Sequence, residues 1–310
     1  MIDLDPNTHQ DAAETNDPTK DVDEGLHELG AMRRRILRGT HLLPSLLTVM
    51  NGVLGFGAIH FATKDAMGTT TMANLSMAGW LIVGAMICDM LDGRVARMTR
   101  RTSDFGGQLD SLCDAVSFGV APAILACRAG VLMLYSQQLV PLAGTGGLSV
   151  VIGRLMWCIS AIYVACAVLR LARFNVENEP DESSHLAFEG LPSPGAAAAV
   201  IGAVLLLTHL AGRDWGVQTW LLPTATLALP LITLMAALLM VSRVGYPHVV
   251  NQLIRSQRPF GTLVKLTILA VLLLIEPLIF AAAGAIGFML AGVVREAILT
   301  LRGRPTHNSQ

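Results

Sequence analysis

Eight stretches of the chain are apolar and roughly as long as a helix that crosses a ~30 Å hydrocarbon core. They lie near 42–62, 73–92, 106–131, 149–171, 191–211, 217–241, 262–279 and 282–300. In lipid every backbone N–H and C=O must find its partner internally, and helices do this within one segment. The pattern therefore predicts an all-α, polytopic membrane helix bundle of about eight transmembrane helices. Composition agrees: 15% of residues are charged, where a soluble chain carries about a quarter. The last two stretches form one long run interrupted at Glu276-Pro277 and Gly284, which reads as a hairpin.

Charge placement orients the bundle. With both termini in the cytoplasm, only Lys64, Arg128, Arg154 and Arg213 fall on the far side, out of 22 Lys and Arg in all. That asymmetry follows the positive-inside rule and favours an even number of spans. The expected location is the cytoplasmic membrane, multi-pass, with the site below at the cytoplasmic face.

Four divisions follow. Residues 1–23 read as a disordered acidic tail. Residues 24–41 read as a short interfacial amphipathic helix, with Leu26, Leu29, Met32 and Ile36 at helical spacing beside Arg33, Arg34, Arg35 and Arg38. A basic flank that merely orients the first span explains the same residues. Residues 42–241 form a six-helix transmembrane core, expected to be catalytic, and 242–310 a C-terminal transmembrane hairpin and tail.

Several function classes drop out. A net charge of −1 with 5% aromatic residues supplies neither the basic field nor the stacking platform of nucleic-acid binding. The five cysteines lie in apolar runs without CxxC spacing and read as small buried hydrophobes. His41, His60, His209 and His248 have no metal-ligand spacing and read as interfacial or surface residues.

Carboxylates in a membrane segment are costly and mark function. Asp89 and Asp92 stand at i and i+3 near the end of the second span. Asp110 and Asp114 stand at i and i+4 at the start of the third. Each pair shares a helix face. A short link, taken as Gly93 to Phe105, makes the two helices antiparallel neighbours, so the pairs can face each other. Four such carboxylates stay ionised only with a cation between them. Oxygen-only ligands favour Mg²⁺ or Mn²⁺, and two ions roughly 3.5–4 Å apart would suit phosphoryl transfer. Gly93 and Gly106 permit close approach of a phosphate, and Arg97 can neutralise one. A cation transporter using the aspartates as an ion path is the rival from another class, although its carboxylates belong near mid-membrane.

The run Asp89-x2-Asp92-Gly93-x2-Ala96-Arg97-x8-Gly106-x3-Asp110-x3-Asp114 resembles the signature of the CDP-alcohol phosphatidyltransferases at every defining position. The resemblance implies that Asp89, Asp92 and Asp110 are metal ligands. It makes Asp114 both a metal neighbour and the general base. Gly93, Ala96, Arg97 and Gly106, with Thr48, would bind nucleotide and phosphate. The stretch from Gly106 to Pro122, Arg170-Leu171-Ala172-Arg173-Phe174-Asn175 and Gly190-Leu191-Pro192-Ser193-Pro194 resemble the phosphatidylserine synthase branch. That branch implies CDP-diacylglycerol and L-serine as substrates, contact with membrane lipids, and a homodimer. Sister enzymes taking glycerol 3-phosphate, inositol phosphate or choline are the alternative. Where family members often read Pro-Asn, this chain has Pro44-Ser45, followed by Thr48 and Asn51. Asn51 is then either a polar contact or a helix-packing residue.

Serine carries a carboxylate, so its pocket needs a cation. Arg170 and Arg173, at i and i+3 on the fourth span, with Asn175 after them, are the acceptor-site candidates. Arginines that snorkel to headgroups would look the same. Ser117 and Ser193 are weaker candidates.

Overall fold

The computed structural model describes residues 44–66, 69–99, 104–136, 147–177, 190–212, 218–246, 264, 267–268, 270–272 and 274–301. The tail and interfacial helix expected before residue 42 lie outside the described residues. Among those described, 7 helices are long and apolar enough to cross a membrane. The first is α1, Pro44–Thr63. Pro44 suits a first helical position, where its missing N–H would have no partner anyway. A two-residue antiparallel ladder, β1 (Asp65–Ala66) with β2 (Thr69–Thr70), turns the chain into α2, Met72–Thr99. The third span is α3 (Asp104–Asp114), a π-helical segment (Ala115–Val120) and α4 (Ala121–Ser136). Then come α5 (Gly147–Glu177), α6 (Ser193–Ala211), α7 (Gln218–Val241) and α8 (Pro277–Leu301). The expected seventh stretch, 262–279, falls partly outside the described residues.

Two boundaries differ from the sequence reading. α2 continues through Gly93 to Thr99, so the link to α3 is shorter than Gly93 to Phe105. One glycine costs about 1 kcal/mol in a helix, and the helix formers after it outweigh that. Gly284 lies inside α8 and interrupts nothing. Among the described residues from 274 to 301 the break falls at Glu276: its N–H closes the preceding turn on Leu272 O at 3.2 Å, and its C=O accepts the Phe280 N–H at 3.2 Å.

α6 is the central post. Its alanines and glycines let neighbours approach closely, as small residues do in membrane bundles. A Cβ on Gly202 would meet the Ala282 Cα of α8 at 3.0 Å, and one on Gly195 would meet Phe288 at 3.3 Å. His209 at the far end pairs with Glu276 at 3.3 Å, so α8 runs antiparallel to α6. His209 is thus half-buried and paired, not a simple surface residue. Tyr246 ties the segment after α7 to α8 by donating to Met289 O at 3.0 Å. Large apolar side chains such as Phe56, Trp80, Trp157 and Leu231 point outward. A water-soluble monomer does not expose such a surface. This is a multi-pass membrane protein.

Candidate active site

The third span carries the feature that shapes the site. Its π-helical segment follows Asp114 directly, and a π bulge leaves backbone groups out of register with the α-helical ladder. The hydroxyl of Tyr163, wholly buried on α5, donates to Phe118 O at 3.1 Å inside that segment. Ser117 turns inward, is fully buried and donates to Cys113 O at 2.8 Å within its own span.

Three of the four aspartates converge. Asp89, Asp92 and Asp110 each present a carboxylate oxygen within 4.8 Å of the others. Asp92 is buried, and the other two are half-buried. Asp114 stands one turn deeper, 8% exposed, and the charges of Asp89, Asp110 and Asp92 all act on it. α1 braces both groups. The Thr48 hydroxyl lies 3.1 Å from Asp92 Oδ2 and 3.0 Å from Pro44 O. With one proton it serves one acceptor at a time, and the ionised carboxylate makes the stronger bond. Asn51 Nδ2 donates to Asp114 Oδ1 at 2.9 Å. Asn51 is therefore a polar partner of the site.

Glycines permit this bracing. A Cβ on Gly52 would meet Cys113 Sγ at 3.0 Å, and one on Gly55 would meet the Ser117 backbone at 2.7 Å. At Gly93 and Gly107 a Cβ would find nothing within 4 Å among the described residues. Gly106 is half-buried. Ala96 and Arg97 lie on the last turns of α2, and their side chains lie outside the described residues.

Arg170, Arg173 and Asn175 all lie within α5, which runs on to Glu177. Arg170 is half-buried and donates through Nη1 to Ser193 Oγ at 2.8 Å. Its charge also interacts with that of Asp114. Ser193, 1% exposed, is held by the turn before α6. There Gly190 has φ 91, its N–H reaches Val244 O, and the Leu191 N–H reaches Leu239 O, both at 2.9 Å. Asn175 Oδ1 accepts from Ser111 Oγ at 2.9 Å, linking α5 to α3. Arg173 is exposed. Sequence reasoning passed over Ser111, which nothing but its place beside Asp110 marks.

Three carboxylates so close together are a hard, oxygen-only donor set, and that set fits a divalent cation such as Mg²⁺ or Mn²⁺.

The family model for CDP-alcohol phosphatidyltransferase matches residues 41–236. The chain belongs to the CDP-alcohol phosphatidyltransferase family. The match includes all four aspartates and their braces on α1. A CDP-diacylglycerol–serine O-phosphatidyltransferase of Helicobacter pylori is 34% identical over 208 residues, 67% of this chain and 73% of that one. The protein of that name from Saccharomyces cerevisiae is 34% identical over 172 residues, 54% of each chain. An archaetidylserine synthase of Methanothermobacter thermautotrophicus is 30% identical over 209 residues, 67% of this chain and 70% of that one. Membership in a family of CDP-alcohol phosphatidyltransferases makes this chain an enzyme and displaces the cation-transporter reading.

Proposed function

We propose that the chain transfers the phosphatidyl group of CDP-diacylglycerol to L-serine, giving phosphatidylserine and CMP. We place it as a homodimer in the cytoplasmic membrane, with both termini and the site on the cytoplasmic side, and with residues 42–241 as the catalytic core. The observation that carries the reading is the convergence of Asp89, Asp92 and Asp110 beside Asp114, with Arg170 in electrostatic reach of Asp114. The acceptor follows from what the relatives share. The bacterial and yeast relatives are both named for CDP-diacylglycerol and serine, and the archaeal one is named an archaetidylserine synthase, so serine recurs in all three names.

Each residue has a task in this reading. Asp89, Asp92 and Asp110 would hold Mg²⁺ or Mn²⁺, and two ions need Asp114 as a further ligand. Bound metal supplies charge stabilisation to the pyrophosphate and to the leaving CMP. Thr48 fixes the rotamer of Asp92. Gly93 and Gly106 leave room for the phosphates, and Ala96 and Arg97 border them. Asn51 orients Asp114, which accepts the serine hydroxyl proton. The serine oxygen then forms a bond to the lipid-side phosphorus, and the bond from that phosphorus to the CMP oxygen breaks. Arg170 receives the serine carboxylate, steadied by Ser193, while Asn175 and Arg173 border the pocket entrance. Held this way, the reacting atoms meet without a further loss of freedom.

The test is CMP release by purified protein in detergent with CDP-diacylglycerol and Mn²⁺. L-serine would run against glycerol 3-phosphate, inositol phosphate and choline, with Asp114→Asn alongside. Release with serine alone, lost in the variant, is the expected result. Release with a different acceptor would overturn the serine assignment.

A further inference from the structure

Asn51 has a second polar atom that the bond to Asp114 does not use. The side chain is 0% exposed. An ionised carboxylate only accepts hydrogen bonds, so the amide nitrogen must face Asp114, as its 2.9 Å bond has it. The carbonyl oxygen, Oδ1, then points elsewhere. It is buried with no hydrogen-bond partner among the described residues. A buried acceptor without a donor is costly, and native proteins rarely leave one unsatisfied. That oxygen lies one carboxamide away from the carboxylate proposed to take the acceptor's proton.

We propose that Asn51 Oδ1 accepts a hydrogen bond from the ammonium group of the acceptor and selects for a primary amino alcohol. The inference rests on the reading of L-serine given above. In L-serine the hydroxyl and the ammonium sit on adjacent carbons. A hydroxyl placed on Asp114 therefore carries the ammonium to within a few ångströms of that carboxylate, where Asn51 Oδ1 lies. The third substituent, the carboxylate, has Arg170, whose guanidinium is fixed on Ser193 at 2.8 Å. Three groups on three helices, α1, the third span and α5, then read three different substituents of one small molecule.

The chemistry of the position fits a cation reader better than a charged side chain would. A carboxylate at 51 would add a fifth negative charge beside Asp89, Asp92, Asp110 and Asp114. A neutral carbonyl recognises an N⁺–H donor through a charge-assisted bond without that repulsion. It also discriminates by omission. Glycerol 3-phosphate and inositol phosphate carry no ammonium. The quaternary nitrogen of choline has no hydrogen to give. Each would leave Oδ1 buried and unpaired, which is how a polar site rejects an analogue lacking its partner.

The test uses the full chain in detergent with CDP-diacylglycerol and Mn²⁺. It measures KM for L-serine and the competitive Ki of 3-hydroxypropanoate, which is serine without its ammonium. Asn51→Leu and the smaller Asn51→Ser both remove the carbonyl. Losing the amide nitrogen disturbs Asp114 and so affects both ligands alike, whereas losing Oδ1 affects serine alone. The expected result is a rise in serine KM about tenfold or more beyond any change in the Ki, the scale of one charge-assisted hydrogen bond. Equal shifts in KM and Ki would overturn the assignment, and so would a shift confined to the Mn²⁺ activation constant. The wild-type protein can overturn the proposal whether or not the variants fold: a Ki equal to the serine KM means that no group reads the ammonium. Wild-type protein that fails to release CMP with serine removes the underlying reading as well. Wild-type protein that transfers to serine, with an unchanged ratio in both variants, removes only the role of Asn51.

Discussion

Gly55 and Ser117 meet backbone to backbone: a Cβ on Gly55 would lie 2.7 Å from the Ser117 Cα. This contact sets how closely α1 approaches the third span. It lies one turn beyond Asn51, so the Asn51–Asp114 bond at 2.9 Å depends on it. Gly55→Ala must push the helices apart. Overpacking of this kind costs about 1–3 kcal/mol. The expected outcome is a lower unfolding temperature in detergent, and CMP release down about tenfold as the braces on Asp92 and Asp114 lengthen. Gly84→Ala is the control, because its Cβ would sit 3.5 Å from Leu54, an ordinary contact. Wild-type behaviour of Gly55→Ala in both assays would mean that the approach does not hold the site.

The carboxylate cluster makes a prediction with a change of sign. Without divalent metal, Asp89, Asp92 and Asp110, with carboxylate oxygens within 4.8 Å of one another, keep their charge only against mutual repulsion. Asp110→Asn removes part of that repulsion, so the metal-free variant should melt above metal-free wild type. With Mn²⁺ present the order should reverse, since saturating ligand adds about 2.7 kcal/mol at a hundred times Kd, and the variant binds less. Chelation should abolish CMP release by wild type, and the variant should lose about a hundredfold or more. Melting curves with and without Mn²⁺ read both signs. A variant less stable than wild type in chelator would show that Asp110 has a structural partner instead.

Much of the fold was legible because lipid allows few choices. Long apolar runs marked the spans, and Asp89, Asp92, Asp110 and Asp114 at helical spacing marked the site. The support shell was harder to read. Thr48, Asn51, Gly52 and Gly55 stand at i, i+3, i+4 and i+7, one face of α1. Two polar groups with two glycines on one stripe could have been recognised as a contact face, but not its register against Asp92 and Asp114. The extent of α2 past Gly93 was missed because one glycine suggests an end, while the residues after it favour helix. The π-helical segment after Asp114 has no signature in composition. Arg170 and Ser193 are 23 residues apart in sequence, and only packing joins them.

Their pairing yields a graded prediction. Arg170 Nη1 donates to Ser193 Oγ at 2.8 Å, with Ser193 1% exposed. Arg170→Gln should raise KM for L-serine about tenfold or more and leave KM for CDP-diacylglycerol unchanged. Arg170→Lys should recover only part of the loss, because a point charge does not reproduce a planar fork. Ser193→Ala removes one hydrogen bond, about 0.5–1.5 kcal/mol, and should raise the serine KM a few-fold. Steady-state kinetics with each substrate varied in turn separates these. A rise confined to the CDP-diacylglycerol KM would assign Arg170 to the donor lipid.

The turn that delivers Ser193 is itself vulnerable at one residue. Gly190 has φ 91, a region that costs an L side chain roughly 1–2 kcal/mol. A Cβ there would also lie 2.7 Å from Met240 O and 2.9 Å from Ser242 O. Those are backbone atoms that cannot rotate away, and the two 2.9 Å bonds of Gly190 and Leu191 hold the turn against them. Gly190→Ala should therefore lower the unfolding temperature by several degrees, as about 2–3 kcal/mol does in a small domain. It should also raise the serine KM more than it lowers kcat, because Ser193 is displaced while Asp89, Asp92 and Asp110 are not. Gly153→Ala is the opposite case. It sits within α5 with nothing within 4 Å of an added Cβ, and alanine there should stabilise by about 0.5–1 kcal/mol. If the two variants melt together, the strained turn does not clamp the start of α6, and Ser193 owes its position to the helix packing alone.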